Sequence, residues 1–119
     1  MLRLQPSVQA PSVAREAVRQ AAGSRYAADV RDAAELLTSE IVTNAVTHGS
    51  GMVTVVIECE DGALAVAVGD DAPSLPVVRP EETLDVGGRG MQLVQILAGE
   101  WSVQRRADGD GKVVWFRLP

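Results

Sequence analysis

From Ala27 to His48, Val30, Ala34, Leu37, Ile41 and Ala45 recur at intervals of three and four residues, with Ala33, Leu36, Val42 and Val46 beside them. That period lays the apolar side chains along one stripe of a long α-helix, which His48-Gly49-Ser50-Gly51 is expected to end. A shorter helix is predicted from about Pro11 to Ala22, with Val13, Ala14, Ala17, Val18 and Ala21 at the same spacing and Gly23 as its stop. Elsewhere the period drops to two. Leu2 and Leu4 flank Arg3 ahead of Gln5-Pro6, which suits a short edge strand. Met52 to Glu58 and Ala63 to Gly69 are β-branched or alternating runs joined by Glu60-Asp61-Gly62, a hairpin signal. Trp101 to Arg106 and Lys112 to Leu118 repeat it around Ala107-Asp108-Gly109-Asp110-Gly111.

Between the hairpins the periodicity dissolves. Asp71 to Val86 holds Pro73, Pro76 and Pro80 with Glu81, Glu82 and Asp85. A structureless connection of about fifteen residues is uncommon in a compact domain and is often an active-site lid, the role expected of it here. After Gly87-Gly88-Arg89-Gly90 come Met91, Leu93, Val94, Ile96, Leu97 and Ala98, a short helix apolar nearly all round and closed by Gly99. The order β-α-α-β-β-lid-α-β-β implies an α+β two-layer sandwich, a mostly antiparallel sheet with helices on one face.

Length and composition narrow the picture. The 119 residues fit one domain, and with 46% hydrophobic residues but only four aromatics the core is expected to be Val, Leu, Ile and Ala. A net charge of -5 argues against duplex DNA or an anionic membrane as the main partner. Cys59 is the one cysteine, so no intrachain disulfide can form and no Cys/His cluster has zinc spacing. No export signal is apparent, and no run approaches the roughly 18 apolar residues of a membrane span. A soluble, cytoplasmic protein is expected.

Chemistry concentrates at three places. Glu40 and Asn44 lie one helical turn apart beside the apolar stripe, so a carboxylate and a carboxamide share a face. Asn offers a neutral oxygen to a hard cation such as Mg²⁺, and Glu could take a proton from an attacking hydroxyl. Taken alone, the spacing is more often that of a solvated Glu and a backbone-satisfying Asn. Asp70 ends the run Ala63-Leu64-Ala65-Val66-Ala67-Val68-Gly69; a carboxylate there is either a turn residue or an acceptor for an exocyclic amine such as adenine's. Asp71 reads as a turn or supporting residue. Gly87-Gly88-Arg89-Gly90 opens the short helix, where free backbone amides and a helix N-terminus favour an anion and Arg89 adds a fixed charge; an ordinary loop is the alternative. His48, the lone histidine, falls at a helix end and suits capping better than phosphoacceptance. The chain has neither a Walker loop nor a G-x-S-x-G nucleophile motif.

In this order, Glu40-x-x-x-Asn44-Ala45, Asp70, Gly87-x-Arg89-Gly90-Met91-x-Leu93-Val94 and a closing hairpin around Gly111 resemble the GHKL ATPase superfamily. The phrase Ser39-Glu40-Ile41-Val42-Thr43-Asn44-Ala45-Val46-Thr47-His48-Gly49 looks most like bacterial stand-alone anti-sigma-factor serine/threonine kinases. The resemblance implies a Bergerat fold binding ATP with Mg²⁺, Asn44 as metal ligand, Glu40 as general base and Asp70 on the adenine amine. Gly88, Arg89, Gly90 and Met91 would border the nucleotide under a lid from about Pro73 to Val86. It further implies transfer of the γ-phosphoryl group to an anti-sigma-factor antagonist, sequestration of a sigma factor, and scope for a homodimer. The alternative is an ATP-binding interaction module without kinase activity. The catalytic fragment of a histidine kinase is disfavoured, because no separate helix pair carries a phosphoacceptor histidine.

Three departures stand against the pattern. Asp70-Asp71-Ala72-Pro73 lacks the glycine of the usual Asp-x-Gly, which loosens the expected adenine pocket. Gly111-Lys112-Val113 lacks the threonine often found after that glycine, which weakens the expected contact there. The lid is short and proline-rich, so its closure is expected to depend on a bound partner.

Overall fold

The computed structural model describes residues 1–71, 99–105 and 111–118. These form β1 (Leu2–Leu4), α1 (Ala10–Ala22), α2 (Ala28–His48), β2 (Val53–Glu60), β3 (Ala63–Asp70), β4 (Glu100–Arg105) and β5 (Lys112–Leu118). The strands make one sheet in the order β1-β2-β3-β5-β4, and every neighbouring pair is antiparallel. Both helices pack on it, α2 over β3 and β5 and α1 over β2. The expected α+β two-layer sandwich is the observed one.

Alternation decides which side chains meet the helices. Along β3, Leu64, Val66 and Val68 enter the core; beside them stand Val53 and Val55 of β2 and Val114, Phe116 and Leu118 of β5. The opposite face of β3 carries Ala63, Ala65, Ala67 and Gly69. Helix α1 buries Ala10, Ala14, Val18 and Ala22, a stripe at intervals of four, and α2 buries Leu37, Ile41, Val42 and Ala45. As the composition implied, the core is chiefly aliphatic, with Phe116 its one fully buried ring among the described residues.

The ends of the elements have local causes. Pro11 sits in the first turn of α1, where a missing N–H costs nothing, and Gly23 ends the helix at φ +56, its N–H donating to the Arg19 carbonyl. The first hairpin is tighter than the sequence suggests. Glu60 pairs with Ala63, so β2 runs on to Glu60 and the connection is Asp61-Gly62 alone, with Gly62 at φ +77. Helix α2 ends differently from the left-handed cap that a terminal glycine suggests, since Gly49 is extended at φ -90 and ψ -167. The acidic connection from Ala72, the glycine segment, the short apolar helix and the tip of the second hairpin lie outside the described residues. No helix among the described residues is long and apolar enough to cross a membrane.

Two polar ties brace the fold at the periphery, one between the helices and one between the helix layer and the sheet. Arg19 of α1 reaches Glu35 of α2 at 2.9 Å and Glu16 of its own helix at 3.0 Å. The Tyr26 hydroxyl, in the α1–α2 connection, lies 2.9 Å from the carbonyl oxygens of both Glu60 and Ala63 and so clasps the first hairpin. Burial, with the nearby Cys59 thiol second, raises the Tyr26 pKa above its ordinary value of 10.0. The folded state therefore favours the neutral phenol, a contribution present below pH 10 and lost as pH rises through the raised value. Tyr26→Phe is expected to lower stability by about 1 kcal/mol at neutral pH. In denaturant melts at increasing alkalinity, its stability should fall less steeply above about pH 10 than that of the wild type.

Candidate functional site

The alternation that buries Leu64, Val66 and Val68 carries Asp70 onto the same face, at the end of β3. On β5, Val114, Phe116 and Leu118 likewise place Lys112 on that face at the strand's start. The antiparallel register sets Asp70 directly opposite Lys112. Two charges thus meet at the margin of the core, Asp70 at 2% and Lys112 at 7% exposure. The Lys112 ammonium lies 2.8 Å from Asp70 Oδ2 and 3.0 Å from Oδ1, straddling the carboxylate. Neither charge could be buried alone, since desolvation costs several kcal/mol per ion unless a partner offsets it.

Helix α2 crosses above the pair. Ile41, Asn44 and Ala45 of the helix, Val68 and Asp70 of β3, and Lys112 and Val114 of β5 enclose a cavity of about 10 Å³. That is on the order of one water's space. Within its wall the Asn44 Oδ1 is buried and has no hydrogen-bond partner among the described residues. An orphaned carbonyl oxygen beside an ion pair is costly for a fold to keep, and it marks a place where a ligand, cation or water supplies the missing contact. Glu40 stands one turn earlier on α2, half-buried.

The loop leaving α2 braces the acidic end of β3. A Cβ on Gly49 would stand 2.8 Å from the Asp70 carboxyl carbon and would collide with the Ala45 carbonyl oxygen. Glycine is thus needed at 49 for close approach and not for its backbone angle. At Gly51, φ is +72 and an added Cβ would strike the Asp71 carboxylate, while the Asp71 N–H donates to the Ser50 carbonyl at 2.8 Å. Asp71 accordingly has the turn-supporting place expected of it. His48 is exposed in the last turn of α2.

Of the residues singled out from the sequence, Asn44 and Asp70 come together in one cavity wall, with Glu40 one turn away. Gly88, Arg89, Gly90 and Met91 lie outside the described residues. Lys112 was noted only as a departure from a threonine; its pairing with Asp70 went unforeseen. The signal was available, because two hydrophobic alternations that end in opposite charges on neighbouring antiparallel strands predict such a pair.

No group of three or more His, Cys, Asp or Glu side chains among the described residues could hold a metal ion. The one neutral oxygen without a partner, Asn44 Oδ1, would suit a hard cation that takes its remaining oxygens from phosphate and water.

The class that these elements define is an α+β sandwich whose long helix lays Asn44 over the acidic end of β3. A family model for the histidine kinase-like ATPase domain matches residues 3–118, and the chain belongs to that family. Among solved structures it is similar to the histidine kinase domain of the blue-light activated histidine kinase from Erythrobacter litoralis EL346, at 26% identity with a TM-score of 0.61. That match covers 92% of this chain and 58% of the other, so this chain spans little more than half its length. No curated protein matches. The chain is thus a GHKL-type, histidine kinase-like ATPase domain.

Lys112→Met is expected to destabilise the fold by about 3–5 kcal/mol in urea melts, because the buried Asp70 carboxylate loses the ammonium that straddles it. The double variant Asp70→Leu/Lys112→Met should recover most of that loss.

Proposed function

We propose that this domain is an anti-sigma-factor-type serine/threonine protein kinase that uses ATP and Mg²⁺, phosphorylates an anti-sigma-factor antagonist and, when free of it, holds a sigma factor. The observation that carries the reading is the partnerless Asn44 Oδ1 sharing a buried wall with Asp70. A Mg²⁺-bound ATP would supply a transferable γ-phosphoryl group whose charge is partly neutralised.

The chain's own residues then divide the work. Asn44 would hold the cation through its carboxamide oxygen. Asp70 would accept a hydrogen bond from the exocyclic amine of the base. Glu40, half-buried one turn from Asn44, receives the proton of the attacking serine or threonine hydroxyl. By resemblance, Gly88, Arg89, Gly90 and Met91 border the nucleotide, with backbone amides and the Arg89 charge directed to phosphate. The sequestered sigma factor and the antagonist compete for one nucleotide-loaded surface, so phosphorylation of the antagonist shifts the population between two complexes.

Titration calorimetry with ATP and MgCl₂ should show binding by the wild type and none by Asn44→Ala. Since Oδ1 lacks a partner, removing it should change the stability of the nucleotide-free chain by less than about 1 kcal/mol. Equal ATP affinity in the variant would remove Asn44 from the site.

Glu40→Gln should retain ATP binding yet slow transfer of labelled γ-phosphate to the antagonist by about 10²- to 10⁴-fold. A wild type that binds ATP and transfers nothing would establish the interaction module instead.

A further inference from the structure

The carboxylate that the proposed function offers to a base is already engaged within the chain. The Lys112 ammonium lies 2.8 Å from Asp70 Oδ2 and 3.0 Å from Oδ1, and Asp70 has a further interaction besides. Hydrogen bonds from an ammonium to a carboxylate are charge-assisted at both ends, whereas an exocyclic amine is a neutral donor. An arriving amine therefore meets a stronger donor already in place.

Space leads to the same point. The cavity lined by Asp70, Lys112 and Asn44 holds about 10 Å³, on the order of one water. A purine ring is far larger, so a base edge reaches Asp70 only where part of that wall gives way. Ile41, Ala45, Val68 and Val114 belong to the buried core of α2, β3 and β5, and moving them would open the seam between helix and sheet. Lys112 is different. It is the first residue of β5, at the margin of the sheet, and its four-carbon stem can carry the ammonium outward to water while the strand keeps its register. Asp70, with a single methylene, has no such reach.

We propose that Lys112 is an internal competitor for the base: its ammonium holds the Asp70 carboxylate in the nucleotide-free chain and is displaced when an adenine amine takes its place. The inference rests on the reading of Asp70 as the adenine acceptor and adds a control on that site. Lysine at 112 stabilises the empty state, because it keeps a buried charge paired, and it lowers affinity for nucleotide by the fraction of molecules in which Asp70 is released. An uncharged residue there reverses both effects. Stability of the empty chain and affinity for ATP then move in opposite directions, which an ion pair with a structural role alone would not produce. A base without the amine gains nothing from Asp70 and need not dislodge Lys112.

The test is calorimetric titration of the full chain with Mg²⁺·ATP and, separately, with the Mg²⁺ complex of purine riboside triphosphate, in which hydrogen replaces the exocyclic amine. Both titrations are repeated on Lys112→Met under conditions where circular dichroism shows it folded. In the wild type the two dissociation constants should agree within about tenfold, the gain from the amine being offset by the loss of the ammonium contact. Lys112→Met should bind ATP more tightly than the wild type by about tenfold or more, and the analogue with affinity changed by less than about threefold. A wild type preferring ATP by more than about tenfold, a folded variant with no gain for ATP, or an equal gain for both nucleotides would each overturn the inference and leave the nucleotide site standing. Heat from neither nucleotide in either protein would overturn the site and the inference together. Lys112→Gln replaces the methionine variant should that not fold, and the wild-type ratio decides if neither does.

Discussion

A lysine and an aspartate buried against each other at the end of an aliphatic sheet constrain everything around them. The core face of β3 and β5 is otherwise Leu, Val and Phe, and each charge is tolerable there only because register sets the other beside it. The pair fixes where the hydrophobic core stops, and where a polar cleft can begin. It also requires a neighbour without a side chain, and Gly49 at the exit of α2 provides one by lying against the carboxylate. A single electrostatic contact thus ties together the end of a helix and the ends of two strands.

The same geometry explains how a small domain keeps a polar group at a close-packed seam. Helix α2 uses Leu37, Ile41 and Ala45 to seal itself to the sheet and leaves Asn44 at the seam, its oxygen held in place and unpaired. Holding an unsatisfied group costs stability in the free protein, and under the proposed function a ligand that pairs the oxygen would recover that cost. An oxygen held in this way is not that of a backbone-satisfying cap, since it bonds no backbone group among the described residues.

Much of this was legible in the chain itself. The three-four period of α2, the alternation of β2, β3 and β5, and the Gly-containing turns led to an α+β sandwich, and the boundaries differ by a residue or two. The first hairpin was read one residue too loose because Glu60 is polar, yet its backbone pairs with Ala63. Gly49 was read as a conformational stop, whereas its backbone is ordinary and its value is the absence of a Cβ. Glu40, Asn44 and Asp70 were picked out by residue type and order, and two of the three proved to share a wall.

Periodicity by itself determined the elements, the faces they bury and the fold class, because the spacing of apolar residues is a local property that each segment carries with it. Strand order and register could not be read that way. They depend on which edges meet once the layers close, a balance among distant segments. Only the tertiary structure placed Lys112 on Asp70, left the Asn44 oxygen without a partner and brought Gly49 against a carboxylate, since each is a contact between residues that no local pattern connects.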